Sequence, residues 1–210
     1  KPNPPRYQNL MKNLLFSALA VCLAVLQVNA QTRYLDEVFD EVTVTSNVVY
    51  GENITVIPAL QDLPFMMEDL KCDIYEPTGD TETERPLLLI FHTGNFLPPI
   101  LNGGPLGSKT DNWEVEMATR YAKMGYVVAS CDYRLGWNPL ASTQEERTLQ
   151  LIQAAYRGVQ DSRTAVRFFR KSNAEDGNPY GVDPNKIGMI GNGTGGYITL
   201  ASSTISSYNE

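Results

Sequence analysis

The spacing of apolar positions changes several times along the chain, and each change marks an element. Residues 41–45 and 48–50 set valines against polar neighbours in the alternation of a half-buried strand, and residues 70–75 repeat that alternation up to Pro77. Both stretches predict antiparallel edge strands. Pro86-Leu87-Leu88-Leu89-Ile90-Phe91 is uninterrupted apolar sequence, as expected of a strand covered on both faces of a mainly parallel sheet. A helical period follows over residues 111–124, with Asp111 as N-cap, Trp113, Met117 and Tyr121 on one face, and Gly125 as the stop. Residues 126–131 predict the next buried strand. Residues 143–171 are helical for most of their length, and Thr143-Gln144-Glu145-Glu146 fits a capping box at the start. A short apolar run, Ile187-Gly188-Met189-Ile190, and a helical continuation from Tyr197 to Ala201 close the pattern. No internal repeat interrupts it. Alternating β and α signals predict one α/β domain, a mainly parallel sheet with helices on both faces.

The first thirty residues change the picture. Residues 11–30 carry Lys12 near a methionine start, an apolar core from Leu14 to Val28, and Val28-Asn29-Ala30 as a small-residue cleavage site before Gln31. That is the pattern of a secretory signal peptide, and its core is short for a membrane span. Val21 before Cys22 speaks against a lipoprotein signal. Residues 1–10 precede the methionine and read as translated upstream sequence, which leaves residues 31–210 as the domain. The segment takes Lys1, Arg6 and Lys12 with it and no acid, so the net charge of −7 becomes −10. Such acidity argues against nucleic-acid and anionic-membrane partners.

Cys72 and Cys131 remain in that domain, in a compartment that permits disulfides. A bridge requires their strands to be neighbours; two buried apolar thiols are the other reading. Two distant cysteines and a single histidine give no metal-ligand spacing, and no metal or other cofactor is expected.

Candidate chemistry concentrates in Gly191-Asn192-Gly193-Thr194-Gly195-Gly196. It sits between a strand and a helix, the context of the G-x-S-x-G nucleophile elbow, in which a sharp turn presents a central serine. Here the centre is Gly193. The same glycines satisfy G-x-G-x-x-G, the phosphate-cradling dinucleotide fingerprint, but that motif opens a first βαβ unit with an acid about 20 residues later. This cluster lies near the end of the sequence.

Four blocks in order decide between them. They are Cys72-Asp73-Ile74-Tyr75-Glu76-Pro77; Phe91-His92-Thr93-Gly94-Asn95-Phe96; Met124-Gly125-Tyr126-Val127-Val128 leading to Asp132-Tyr133-Arg134-Leu135-Gly136; and Asp183-Pro184-Asn185-Lys186-Ile187 before the elbow. With them, residues 70–201 resemble the N-terminal part of an α/β-hydrolase of the secreted esterase/lipase type, carboxylesterase-like. The resemblance implies that His92, Thr93, Gly94 and Asn95 form an oxyanion loop, similar to HGGG, with Asn95 where a glycine is usual. Backbone N–H groups near Gly94 and Asn95, with that of Thr194 after the elbow, would face a developing oxyanion. The His92 imidazole would brace this loop; a plain buried histidine is the alternative. It is not the general base, because in this family the histidine follows the elbow.

The resemblance also exposes what is missing. Gly193 stands at the nucleophile position, flanked by Gly191, Asn192, Gly195 and Gly196, and no histidine follows. Thr194 has the nearest hydroxyl, but its place on the turn aims it away and leaves its N–H as the useful group. Glycine relieves the elbow strain, roughly 1–3 kcal/mol for other residues. A sheet ending at the elbow strand would leave an apolar edge open, so the chain is expected to be an N-terminal fragment, with acid and histidine on later strands. Asp161 and Arg134 match positions that the family uses structurally, and the Pro/Gly-rich loop over residues 97–108, with Trp137, is either a cleft rim or an ordinary connection. Three functions are open: an exported esterase acting on small-molecule carboxylic esters, a hydrolase fold that only binds such a ligand, and a nucleotide-binding domain.

Overall fold

The structure is a computed structural model that describes residues 32–205. Residues 1–10, read above as translated upstream sequence, and residues 11–30, read as a signal peptide, lie outside the described residues. Five strands and three helices build the domain: β1 (Val42–Thr55), β2 (Met66–Pro77), β3 (Arg85–Phe91), α1 (Asn112–Lys123), β4 (Val127–Cys131), α2 (Gln144–Glu175), β5 (Val182–Gly191) and α3 (Thr194–Thr204). The sheet order is β1-β2-β4-β3-β5. Strand β1 pairs antiparallel with β2, and β2 antiparallel with β4, whereas β3 is parallel to both β4 and β5. The described sheet is thus mixed, with the expected antiparallel strands on one side and the parallel strands β4, β3 and β5 on the other.

Strand β3 is the pivot. From it the chain crosses to β4 on one side through α1, and from β4 it returns through α2 to β5 on the other side. Crossovers between parallel strands are right-handed, so opposite directions of travel put α1 and α2 on opposite faces. The side chains of β3 match that arrangement. Leu87, Leu89 and Phe91 face Ala154, Ala165 and Phe169 of α2 and Ile198 of α3, while Leu88 and Ile90 face Ala118 and Ala122 of α1. A strand covered on both faces needs apolar residues at every position, which explains the uninterrupted run.

Local differences from the sequence pattern have local causes. The two β-prone stretches after residue 40 are one strand, because bulges between Thr45 and Val48 and between Val49 and Gly51 absorb the breaks in alternation. Asn47 takes φ 58° there, and its N–H donates to Asp73 Oδ1 at 2.8 Å. Helix α1 buries Glu114, Ala118 and Ala122 with Met117 and Tyr121 alongside, so Trp113 is turned off the face that the spacing assigned to it. Asp111 is the N-cap residue, yet its carboxylate accepts from Gly107 N–H at 2.6 Å and Ser108 N–H at 3.3 Å in the preceding loop. The box at α2 is complete: Glu146 N–H donates to Thr143 Oγ1 and the Thr143 N–H to Glu146 Oε2.

Cys72 and Cys131 are cross-strand partners on β2 and β4, so their strands are neighbours as a bridge requires. Both are free, fully buried thiols of the core beneath α2. Burial pushes the Cys131 thiol well above its ordinary value, the direction of an inert packed thiol.

Candidate functional site

Because the strand order reverses around β3, the topological switch point, where open α/β sheets bind ligands, lies beyond the carboxyl ends of β3 and β5. The two singled-out segments meet there. His92-Thr93-Gly94-Asn95 leaves β3, and Gly191-Asn192-Gly193 turns from β5 into α3, with Asn192 N–H donating to the Phe91 carbonyl at 3.2 Å.

The turn from β5 into α3 is close-packed in a way that only glycine permits. Gly193 has φ 52° and ψ −116°, a backbone conformation that costs L side chains about 1–3 kcal/mol. A Cβ on Gly195 would overlap the Phe91 carbonyl oxygen and lie 2.8 Å from that of His92, and one on Gly191 would overlap the Gly195 carbonyl. A Cβ on Gly193 would overlap Thr93 Oγ1 and lie 2.9 Å from Thr93 Cβ. Thr194 opens α3, so its N–H has no carbonyl partner within the helix. Its side chain turns to Tyr133, whose hydroxyl is 3.2 Å from Thr194 Oγ1.

The facing loop is held in unusual geometry by specific contacts. Gly94, Asn95 and Phe96 take φ values of 120°, 57° and 56° in succession. Asparagine tolerates the left-handed region; phenylalanine is strained in it, and such strain persists where the surroundings enforce it. They do so here. Gly136 N–H donates to the Phe96 carbonyl, Trp137 Nε1–H to the Asn95 carbonyl, both at 2.8 Å, and the Phe96 ring is buried edge-on to Tyr133. Trp137 also lines an apolar 490 Å³ cleft with Ile57, Pro98, Leu101, Pro139 and Leu140, so it serves the rim and the loop together.

His92 is buried, its ring stacked on Tyr133 at 4.4 Å. The Tyr133 hydroxyl donates to the His92 carbonyl at 2.9 Å. Because the Thr93 carbonyl lies 2.5 Å from Nδ1 and can only accept, Nδ1 carries the proton. Nε2 is left without a hydrogen bond, 3.6 Å from Asp132 Oδ1. Burial lowers the imidazole's pKa and raises that of Asp132, so both directions disfavour an ion pair. His92 also borders a second cleft, of 570 Å³, lined by Asp132, Glu68, Lys71, Pro99 and Ser108, with Nε2 itself buried beneath it. That cleft is the larger of the two and does not reach Gly193, which lies across the loop.

Two groups at the site carried no sequence signal. Lys109 is buried, its ammonium 2.7 Å from Asp73 Oδ1 and its N–H donating to Asp132 Oδ1, so the end of the 97–108 loop is tied to β2 and β4. Glu114 on α1 is 1% exposed with neither carboxylate oxygen hydrogen-bonded. Burial pushes its pKa up to about 7, helped by the charge of Asp111; its own N–H and the nearby Asn192 amide offset only part. Their pattern in the sequence is that of any polar helix or loop residue.

The raised value has a consequence for stability. In the folded chain Glu114 holds its proton up to about pH 7, and when unfolded only to about 4.5. Stability from this group is therefore complete below the lower value and declines as pH rises through the interval. Replacing Glu114 with Gln removes that decline. The difference in melting temperature between pH 5 and pH 8 is expected to shrink by a few degrees relative to the unaltered chain; an unchanged difference would show the carboxyl to be solvated.

Among the described residues no group of three or more His, Cys, Asp or Glu side chains is placed to hold a metal ion, and no helix is long and apolar enough to cross a membrane.

The sheet and its switch point are those of an esterase-like α/β-hydrolase. The sequence model of the BD-FAE family matches residues 72–210, and the chain belongs to that family. Among curated proteins it is 29% identical over 159 residues to carboxylesterase 3B of Mus musculus, which covers 75% of this chain and 23% of that protein. It is 27% identical over 136 residues to neuroligin-like protein glit-1 of Caenorhabditis elegans, covering 63% and 16%. A solved esterase, Est2 of Thermogutta terrifontis, aligns at 26% identity and a TM-score of 0.44 over 64% of this chain and 39% of its own. The chain thus spans less than a quarter of those curated relatives and about two fifths of that esterase.

Proposed function

We propose that this chain forms an esterase-type site that receives the carbonyl of a small carboxylic ester and does not use residue 193 to cleave it. In this reading the N–H groups of Gly94, Asn95 and Thr194 hold the carbonyl oxygen, residues 11–30 direct export, and residues 31–210 supply the hydrolase domain. The observation that carries it is the elbow backbone kept at φ 52°, ψ −116° with a glycine on it and the Thr93 side chain standing where a nucleophile would. An acyl-enzyme needs an oxygen or sulfur on the elbow, and glycine offers neither. Family membership supports the ester as ligand class, and the acidic surface speaks against polyanions.

Turnover of esters by this site is the second reading, favoured by the successive positive φ values at Gly94, Asn95 and Phe96, a geometry that relieves itself unless something holds it. Phosphate binding at the glycine cluster is disfavoured because Gly191, Gly193 and Gly195 face protein atoms. Incubation with p-nitrophenyl acetate, and separately with a fluorophosphonate followed by intact mass, separates the first two. The expected result is no release above buffer and no adduct. Release that disappears in Thr194→Val would assign the nucleophile to Thr194 and overturn the proposal.

A further inference from the structure

Thr93 and Gly193 are 100 positions apart in sequence and fill one volume. The Thr93 side chain is half-buried, and its hydroxyl overlaps the volume that a Cβ at residue 193 would occupy, with Thr93 Cβ behind it. The backbone on both sides is held independently of that hydroxyl. Thr93 is fixed by its carbonyl's bond to His92 Nδ1, and Gly193 by its carbonyl's bond from Gly196 N–H at 3.0 Å. Among the described residues the Thr93 hydroxyl has no hydrogen-bond partner, and it is not sealed from solvent as the unpartnered atoms of Glu114 and His92 are. An unengaged, half-buried hydroxyl next to the exposed Gly193 is a donor available to a ligand.

Resting on the ester-site reading above, we propose that Thr93 supplies this site's hydroxyl: entering from the loop side, it takes the place of an elbow nucleophile and donates its O–H to an oxygen of the bound ester. Gly193 is the complement of that side chain, since any Cβ there would displace it. The contact forms and breaks no covalent bond. The missing elbow side chain and the added loop hydroxyl are thus two halves of one arrangement.

The test measures affinity for a fluorinated benzyl acetate by fluorine NMR, together with melting temperature, in the full chain and five variants. Thr93→Val keeps the shape and deletes the hydroxyl; affinity is expected to fall roughly three- to tenfold, the range for one neutral hydrogen bond. Thr93→Ser restores the hydroxyl and most of the affinity. Gly193→Ser alone forces overlap with Thr93 and is expected to lower both affinity and melting temperature, whereas Thr93→Gly combined with Gly193→Ser recovers both, because the hydroxyl then comes from the elbow side into vacated space. Thr93→Gly alone should bind as weakly as Thr93→Val. Equal affinity in Thr93→Val and the unaltered chain would overturn the ligand contact, and additive melting shifts at the two positions would overturn the pairing. No binding by the unaltered chain would instead overturn the ester-site reading and the ligand contact with it, while the melting temperatures alone still decide whether Thr93 and Gly193 are matched.

Discussion

Gly195→Ala is expected to dismantle the elbow and to cost more than about 4 kcal/mol, a loss outside the range of ordinary point substitutions. The added methyl would overlap the Phe91 carbonyl oxygen and lie 2.6 Å from its carbon, so the obstacle is the backbone of the central strand. A flexible side chain could swing aside; β3 cannot, because it is bonded on both edges to β4 and β5. The first turn of α3 must therefore lift off the sheet and carry Thr194 with it. Gly191→Ala meets the same obstacle from the other side, at the Gly195 carbonyl and the Gly196 nitrogen. Gly196→Ala is the control. A Cβ there lies 3.4 Å from its nearest neighbour, the Gly191 oxygen, and alanine is favoured over glycine inside a helix by about 1 kcal/mol, so little or no loss is expected. Chemical denaturation of the three variants gives the ranking. If Gly196→Ala proves as damaging as Gly195→Ala, the close approach of α3 to β3 is not what holds the turn.

That geometry explains how far the sequence could be read. The motif glycines were legible because close backbone approach leaves a signature in the residue itself: only glycine fits, so it must be written there. The apolar run at residues 86–91 and the box at Thr143 and Glu146 were legible for the same reason, since each encodes a local requirement. What crosses the fold leaves no such mark. Nothing about Thr93 in isolation says that it fills the space above Gly193, because the contact arises from two parallel strands whose ends are level, with Phe91 paired to Gly191. Glu114 was hidden likewise. Its spacing placed it beside the face of Trp113, Met117 and Tyr121, and only the docking of α1 on β4 rotates it inward. The two stretches of β1 were separated by irregular alternation that a bulge restores, and bulges are set by the partner strand. Strand direction was legible where the pattern differed: the alternating stretches are the antiparallel β1 and β2, and the uninterrupted run is β3, parallel to both its neighbours.

Removing the Asp161 carboxylate is the second large effect expected, and it tests how the site is held from behind. Asp161 on α2 is fully buried, and Arg134, just after β4, is 4% exposed. Arg134 donates through Nη2 at 2.7 Å and through Nε to both carboxylate oxygens at 3.0 Å, and its backbone N–H adds a further bond at 2.9 Å. The remaining guanidinium donors reach the Ile54 carbonyl and Gln160, so β1, the β4 end and α2 are joined at one point. Asp161→Ala leaves a buried cation whose main partner is gone, an arrangement that costs about 3–5 kcal/mol. At roughly 2–4 °C per kcal/mol for a domain of this size, the melting temperature should fall by about 6–20 °C. Arg134→Met together with Asp161→Leu replaces both charges with apolar bulk and is expected to be the milder change, because neither charge is stranded. The consequence for the site follows from Tyr133, the neighbour of Arg134, which donates to the His92 carbonyl and lies against Thr194 and Phe96. Loosening Arg134 should thus free the loop at residues 92–96 before the sheet melts, seen as faster amide exchange there than in β3. Exchange that rises equally in both would show that the ion pair stabilises the whole domain and not the loop in particular.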